Sequence, residues 1–304
     1  MTRVRDVHWS AIGWYLAISF GLAWAVEVYL ILGRGVSFAG IPPLLAQWEL
    51  AAVMFTPALG AWAVGRFVTR DGLRAAGWNL GPWRAYAATY LVVPAVFVAA
   101  YGLTWALGLG KPDWGLSVFL AQVERLVPGS AARAPAAPVL LAVVAVSSLT
   151  FAPLVNSVFA FGEELGWRGF LLPKLLPLGT LPALVLHGAI WGLWHAPVVW
   201  AGFNYPGHPV AGIAMMTLFC TVLGIFIGGL RLRYGSTWLA SFAHGVINAQ
   251  GYGVWRMLFP DADPLRGGAT GVVGLLLWLI PALWVLRGLD PPRRTDQAGL
   301  TGYR

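Results

Sequence analysis

The chain has 304 residues, 58% of them hydrophobic and 11% charged, with a mean hydropathy of +0.70 and a formal net charge of +8. A soluble domain carries about 25% charged residues, so a water-facing globule is excluded and a polytopic membrane protein is the direct reading. The basic residues sit at the ends of apolar runs rather than in one patch, which argues against nucleic acid and makes the lipid bilayer the first partner.

Eight apolar segments, each near the 20 or so residues that cross a bilayer, follow one another at roughly 10–33, 45–68, 83–107, 137–161, 180–201, 210–230, 236–258 and 268–288. The first follows Arg3 and Arg5 as a signal sequence would. It is long, however, and has no small-residue cleavage site, so it reads as a retained span. Between the third and fourth segments, 114–127 mixes Trp114, Val118, Leu120 and Leu126 with polar residues and predicts a short interfacial helix. The Ala/Pro-rich run after it reads as a linker. Three blocks result: 1–135 with three spans, the interfacial helix and the linker; 136–260 with most of the polar residues; and 261–304 with the last span and a tail. The fold class expected is an all-α transmembrane bundle.

With the N-terminus inside, the inner segments hold 14 of the 20 Lys and Arg residues: Arg3 and Arg5, then Arg66, Arg70, Arg74 and Arg84, then Arg168 and Lys174, then Arg231 and Arg233, then Arg287, Arg293, Arg294 and Arg304. The outer segments hold 6: Arg34, Lys111, Arg125, Arg133, Arg256 and Arg266. This bias puts both termini in the cytoplasm and predicts a multi-pass protein of a bacterial plasma membrane. It also predicts that Glu163, Glu164 and Arg168 lie at the cytoplasmic end of the fourth span.

Few ionisable groups interrupt the later spans, and those that do are spaced helically. Glu164 and Arg168 are four apart, the favoured order for an ion pair on one helix face. His187, Trp191 and His195 form one stripe, and His244 with Asn248 forms another. Such groups suit hydrolysis: a carboxylate beside an imidazole deprotonates a water, and a second His with an Asn steadies an oxyanion. Each element alone has a plainer reading, as a topology charge or interhelical glue. Paired polar groups in three separate segments favour a site. Glu27, in the first span, has no partner in the sequence, and the role of His187 is left open. The single cysteine, Cys220, lies in an apolar run and reads as a packing residue.

GEELGWRGF (162–170), WGLWH (191–195) and HGVIN (244–248), in that order on successive spans, resemble the CPBP family of intramembrane proteases, also called the CAAX protease and bacteriocin-processing (Abi) family, which includes the Ras-converting CAAX endoprotease. The likeness covers about 150–255. One departure is Trp191, where Phe is typical; a larger aromatic is expected to keep the packing role. The resemblance implies that Glu163 and His195 activate water, that Glu164 and Arg168 support them, and that His244 and Asn248 stabilise the oxyanion. It further implies an endopeptidase cavity open toward the cytoplasm. The substrate would be a membrane-associated peptide or lipidated protein. In prenylating organisms the family trims CAAX tails, and in bacteria it is linked to peptide maturation and bacteriocin immunity. There is no HExxH. Glu163, His195 and His244 would be the ligands if zinc were bound, and the expectation is a metal-free mechanism with no cofactor. A proton- or ion-coupled transporter using the same groups is the alternative, without repeated halves to support it.

Overall fold

The structure, a computed structural model, describes residues 7–289. Arg3, Arg5, Arg293, Arg294, Arg304 and the two chain ends of the topology count lie outside the described residues.

All eight apolar segments are helical. Trp9–Val28 (α1) runs on through a π-helical turn at Tyr29–Gly33; Leu44–Val53 (α2) and Thr56–Phe67 (α3) make the second segment, and Trp83–Ala106 (α4) the third. The amphipathic Ser117–Leu126 (α5) follows, as the interfacial reading expects, with no fully buried residue. Ala137–Leu149 (α6) bends by 48° into Phe151–Gly166 (α7), which continues through a π-helical turn at Trp167–Leu171 and Leu172–Leu175 (α8) to Leu178. Thr180–Trp194 (α9), Ala196–Trp200 (α10), Pro209–Tyr234 (α11), Thr237–Gly251 (α12), Val254–Leu258 (α13) and Val272–Arg287 (α14) complete the chain.

Among the described residues four helices, including the α2–α3 pair, are long and apolar enough to cross a membrane, and a fifth if the bent α6–α7 path counts as one span. The helices α9, α12 and α14 have 15 or 16 residues, about 23 Å at 1.5 Å per residue, against a hydrocarbon core of about 30 Å. The eight-segment pattern is thus a bundle of helices of unequal length, with the 26-residue α11 the most buried of the long ones.

One apolar cluster runs from Ala11 to Val285, so all three sequence blocks share a single core. Outside it, Leu22, Leu32, Leu91, Val98, Val143, Val158, Leu276 and Ile280 are exposed on helix faces where only lipid can cover them. Trp83 and Trp105 are exposed at the two ends of α4, where interfacial aromatic belts lie.

Small residues set the contact between α9 and α11. A Cβ on Gly188 would lie 2.6 Å from Thr221 Cα, and one on Gly192 would lie 2.5 Å from Thr217 Cα. Without a water-driven force between helices in lipid, such close backbone approach is what holds two helices together. The turn from α11 to α12 is equally local in origin: Gly235 takes φ 64° to end one helix, and the Ser236 hydroxyl accepts from Leu239 N at 3.0 Å to start the next.

The helices alternate between two faces. Loops 34–43, 107–116, 201–208 and 259–271 meet on one, joined by Phe38 N to Ala201 O at 3.0 Å and Asp263 N to Leu109 O at 2.7 Å. Loops 68–82 and 235–236 meet on the other, joined by Thr237 N to Gly77 O at 2.9 Å and Asn79 Nδ2 to Tyr234 O at 3.0 Å. The start of α1 belongs to this second face.

Candidate active site

Prolines inside a span interrupt its hydrogen bonding, yet the path from Phe151 to Leu178 stays helical through Pro173 and Pro177. Each proline falls in the first turn of a short helical piece, where its missing N–H forfeits no bond. The interruption is a π-helical turn at Trp167–Leu171 and not a re-entrant loop. Glu163 and Glu164 therefore sit midway along this path, not at the end of a span. Gly166 rests directly on Pro57 of α3, with no room for a Cβ, which fixes α7 against the N-terminal helices.

Glu164 is fully buried. Its Oε1 accepts from Arg168 Nη1 at 2.8 Å and faces His244 Nδ1 at 2.9 Å. The helical spacing thus forms the ion pair that the sequence predicts, and α12 adds a third member. Burying charges costs several kcal/mol each, which only such mutual pairing offsets. The remaining guanidinium nitrogens, Nε and Nη2, have no hydrogen-bond partner among the described residues. The guanidinium instead lies 4.2 Å from the Trp191 ring centroid, a cation–π contact.

Glu163, adjacent in sequence, points elsewhere: its Oε2 accepts from Trp191 Nε1 at 2.7 Å. Trp191 is also edge-on to His195 and His244, with centroids 5.8 and 5.3 Å away. One indole therefore touches or faces Glu163, Arg168, His195 and His244. Sequence reasoning gave Trp191 packing alone; the signal it passed over was the indole N–H, which the typical Phe lacks.

His195 closes α9, with Nδ1 2.9 Å from the Trp191 carbonyl. A carbonyl only accepts, so this nitrogen carries the proton and Nε2 presents a lone pair. His195, Trp191, His244 and Asn248 line one end of a cavity of about 420 Å³, a size usual for ligand sites. From there the cavity extends past Tyr101, Tyr252 and Arg256 to Ala39, Val118, Asn204 and Pro260. Arg256 counted only as a topology charge in the sequence; here it is a wall residue, with Nη2 bonded to Gly40 O at 3.2 Å.

The mouth residues belong to the first of the two faces, opposite the start of α1. A cytoplasmic N-terminus and a cavity open to the cytoplasm, both expected from the sequence, are therefore incompatible with each other. Motif resemblance gave the second and loop charges the first, and neither fixes which end of the bundle is hollow.

Among the described residues no three His, Cys, Asp or Glu side chains are grouped to hold a metal ion. Glu163, His195 and His244 are not so grouped; Nδ1 of His244 faces Glu164, Nδ1 of His195 faces the Trp191 carbonyl, and Oε2 of Glu163 accepts from Trp191. Glu27 and His187 are buried away from the cavity wall; Glu27 Oε2 and both ring nitrogens of His187 have no hydrogen-bond partner among the described residues. Cys220 is buried and lines the cavity through packing.

Residues 138–250 match the family model described as type II CAAX prenyl endopeptidase Rce1-like. That stretch runs from α6 to the end of α12 and holds Glu163, Glu164, Arg168, Trp191, His195, His244 and Asn248. No curated protein matches the chain.

Proposed function

We propose that the chain, whose residues 138–250 match the family model of Rce1-like type II CAAX prenyl endopeptidases, is an intramembrane endopeptidase hydrolysing a bond in a membrane-associated peptide or lipidated protein. The observation that carries this reading is the convergence of Glu163, His195 and His244 on Trp191: His195, His244 and the indole line one end of the cavity, and Glu163 is buried behind the indole that it bonds.

In this mechanism a water enters the cavity and is held by the His195 lone pair near Glu163. As its oxygen bonds to the scissile carbonyl carbon, one proton passes to this His–Glu pair. The oxygen of the tetrahedral intermediate is met by Asn248 Nδ2 and by Nε2 of His244 in its imidazolium form, whose Nδ1–H is held by Glu164. The carbon–nitrogen bond then breaks, and the stored proton leaves on the new amine. Arg168 acts through Glu164, whose carboxylate it keeps in place. This account invokes neither metal nor cofactor.

Transport through the same residues has less support. The family match is to endopeptidases, and the loop residues lining the cavity come from one face of the bundle.

The test uses purified protein in detergent with a peptide library and a prenylated CAAX peptide. Wild type should cleave at least one peptide, and Glu163→Ala and His195→Ala should not. Equal cleavage by all three would remove the assignment. Proton-coupled uptake in liposomes that is lost in Glu163→Ala, with no cleavage, would favour the transporter.

A further inference from the structure

Two independent features of the described residues bear on the side from which this site is reached. The first is geometric. The cavity mouth is built from loops 34–43, 201–208 and 259–271 together with α5, all on one face. The start of α1 and loops 68–82 and 235–236 lie on the other face, where Arg231 Nη2, at the end of α11, donates to Ala75 O at 2.8 Å. The second is charge. The face opposite the mouth carries Arg66, Arg70, Arg74, Arg84, Lys174, Arg231, Arg233 and Arg287, with Asp71 the one acid among the described residues. The mouth face carries six basic residues against five acids, Glu49, Asp113, Glu124, Asp261 and Asp263. Some of those bases are also neutralised locally: Arg34 bonds Glu49 at 2.6 Å, and Arg266 lies 3.9 Å from Asp263. Arg168, which the sequence count placed in an inner segment, is a buried site residue and drops out of the comparison.

Uncompensated Lys and Arg residues flanking spans stay in the cytoplasm. We propose that the cavity opens to the extracytoplasmic side, and that its substrate is a peptide segment already translocated and lying at the outer surface of the membrane. The second half rests on the endopeptidase reading; the first does not. The amphipathic α5 fits this access route. It lies along the rim, with Val118, Phe119 and Gln122 lining the mouth, and gives an apolar ledge at the outer interface. A cytoplasmic lipidated tail would have no path to His195 from this side.

Single-cysteine labelling of the full chain in intact cells tests the orientation without using activity. Cys220, which lines the cavity, is replaced by Ala so that each variant carries one cysteine. Ala132→Cys and Val127→Cys report the mouth face, and Ala75→Cys and Leu80→Cys the other; all four positions are exposed. A membrane-impermeant maleimide should label the first pair in intact cells at least tenfold faster than the second, which should label only after permeabilisation. The reverse pattern in either pair overturns the proposal. A membrane-tethered peptide reporter displayed outside should be cut, and the same reporter displayed inside should not; cleavage of the inner one alone also overturns it. Labelling as expected with neither reporter cut counts against the endopeptidase reading and leaves the orientation standing.

Discussion

Trp191 Nε1 donates to Glu163 Oε2 at 2.7 Å, joining α9 to α7 across the middle of the bundle. Through its carbonyl the same residue also holds Nδ1 of His195. The proposed base and its partner histidine are thus oriented by two ends of one tryptophan. Trp191→Phe keeps a ring facing Arg168 and removes only the donor. A hydrogen bond to a charged group is worth about 1.5–3 kcal/mol, so kcat should fall by about 10- to 150-fold. KM and thermal stability should change little. Steady-state kinetics on any cleaved peptide checks this; an unchanged kcat would show that the bond positions nothing.

Arg168 and Glu164 form a buried pair, and removing one partner strands the other. Arg168→Met should cost about 3–5 kcal/mol. Arg168→Met combined with Glu164→Gln should recover more than about 1 kcal/mol of that, since contacting residues are not additive. Chemical unfolding in detergent, run as a double-mutant cycle, measures the recovery. Simple additivity would mean that the two charges do not depend on each other.

The α9–α11 contact sets the position of His195, and Gly192 leaves no space for a methyl group: its Cβ would meet Thr217 Cα at 2.5 Å and Met216 O at 3.0 Å. Gly192→Ala should destabilise by about 1–3 kcal/mol and reduce activity with it. Gly13→Ala, with nothing within 4 Å of its Cβ, should leave both unaltered. Thermal shift assays of the two variants separate steric crowding from a general glycine effect.

The proposed mechanism calls on no metal, so activity should survive dialysis against a strong chelator. Loss of turnover that added zinc restores would replace the metal-free account.

Much of this was legible in the sequence for simple physical reasons. Apolar runs of bilayer length mark helices whatever their packing, and all eight appear. The i and i+4 spacing of Glu164 with Arg168 and of His244 with Asn248 fixes a shared helix face, so these pairs were readable locally. The link from Glu164 to His244, 80 residues apart, depends on how α7 meets α12, and no local pattern encodes it. The indole donor of Trp191 was hidden because size and apolarity alone were read from it. Whether Pro173 and Pro177 break the path was not readable, because the cost of a proline depends on its position within a helical turn, which composition does not give.

The central claim is that Glu163 takes a proton from water during hydrolysis. Glu163→Gln tests it most directly, because the amide keeps the size of the side chain and an oxygen for Trp191 Nε1, yet cannot act as a base at neutral pH. Measured on a cleaved peptide, its kcat should fall by at least about 100-fold, with an unfolding midpoint equal to that of wild type. A Glu163→Gln protein that cleaves at the wild-type rate would contradict the account.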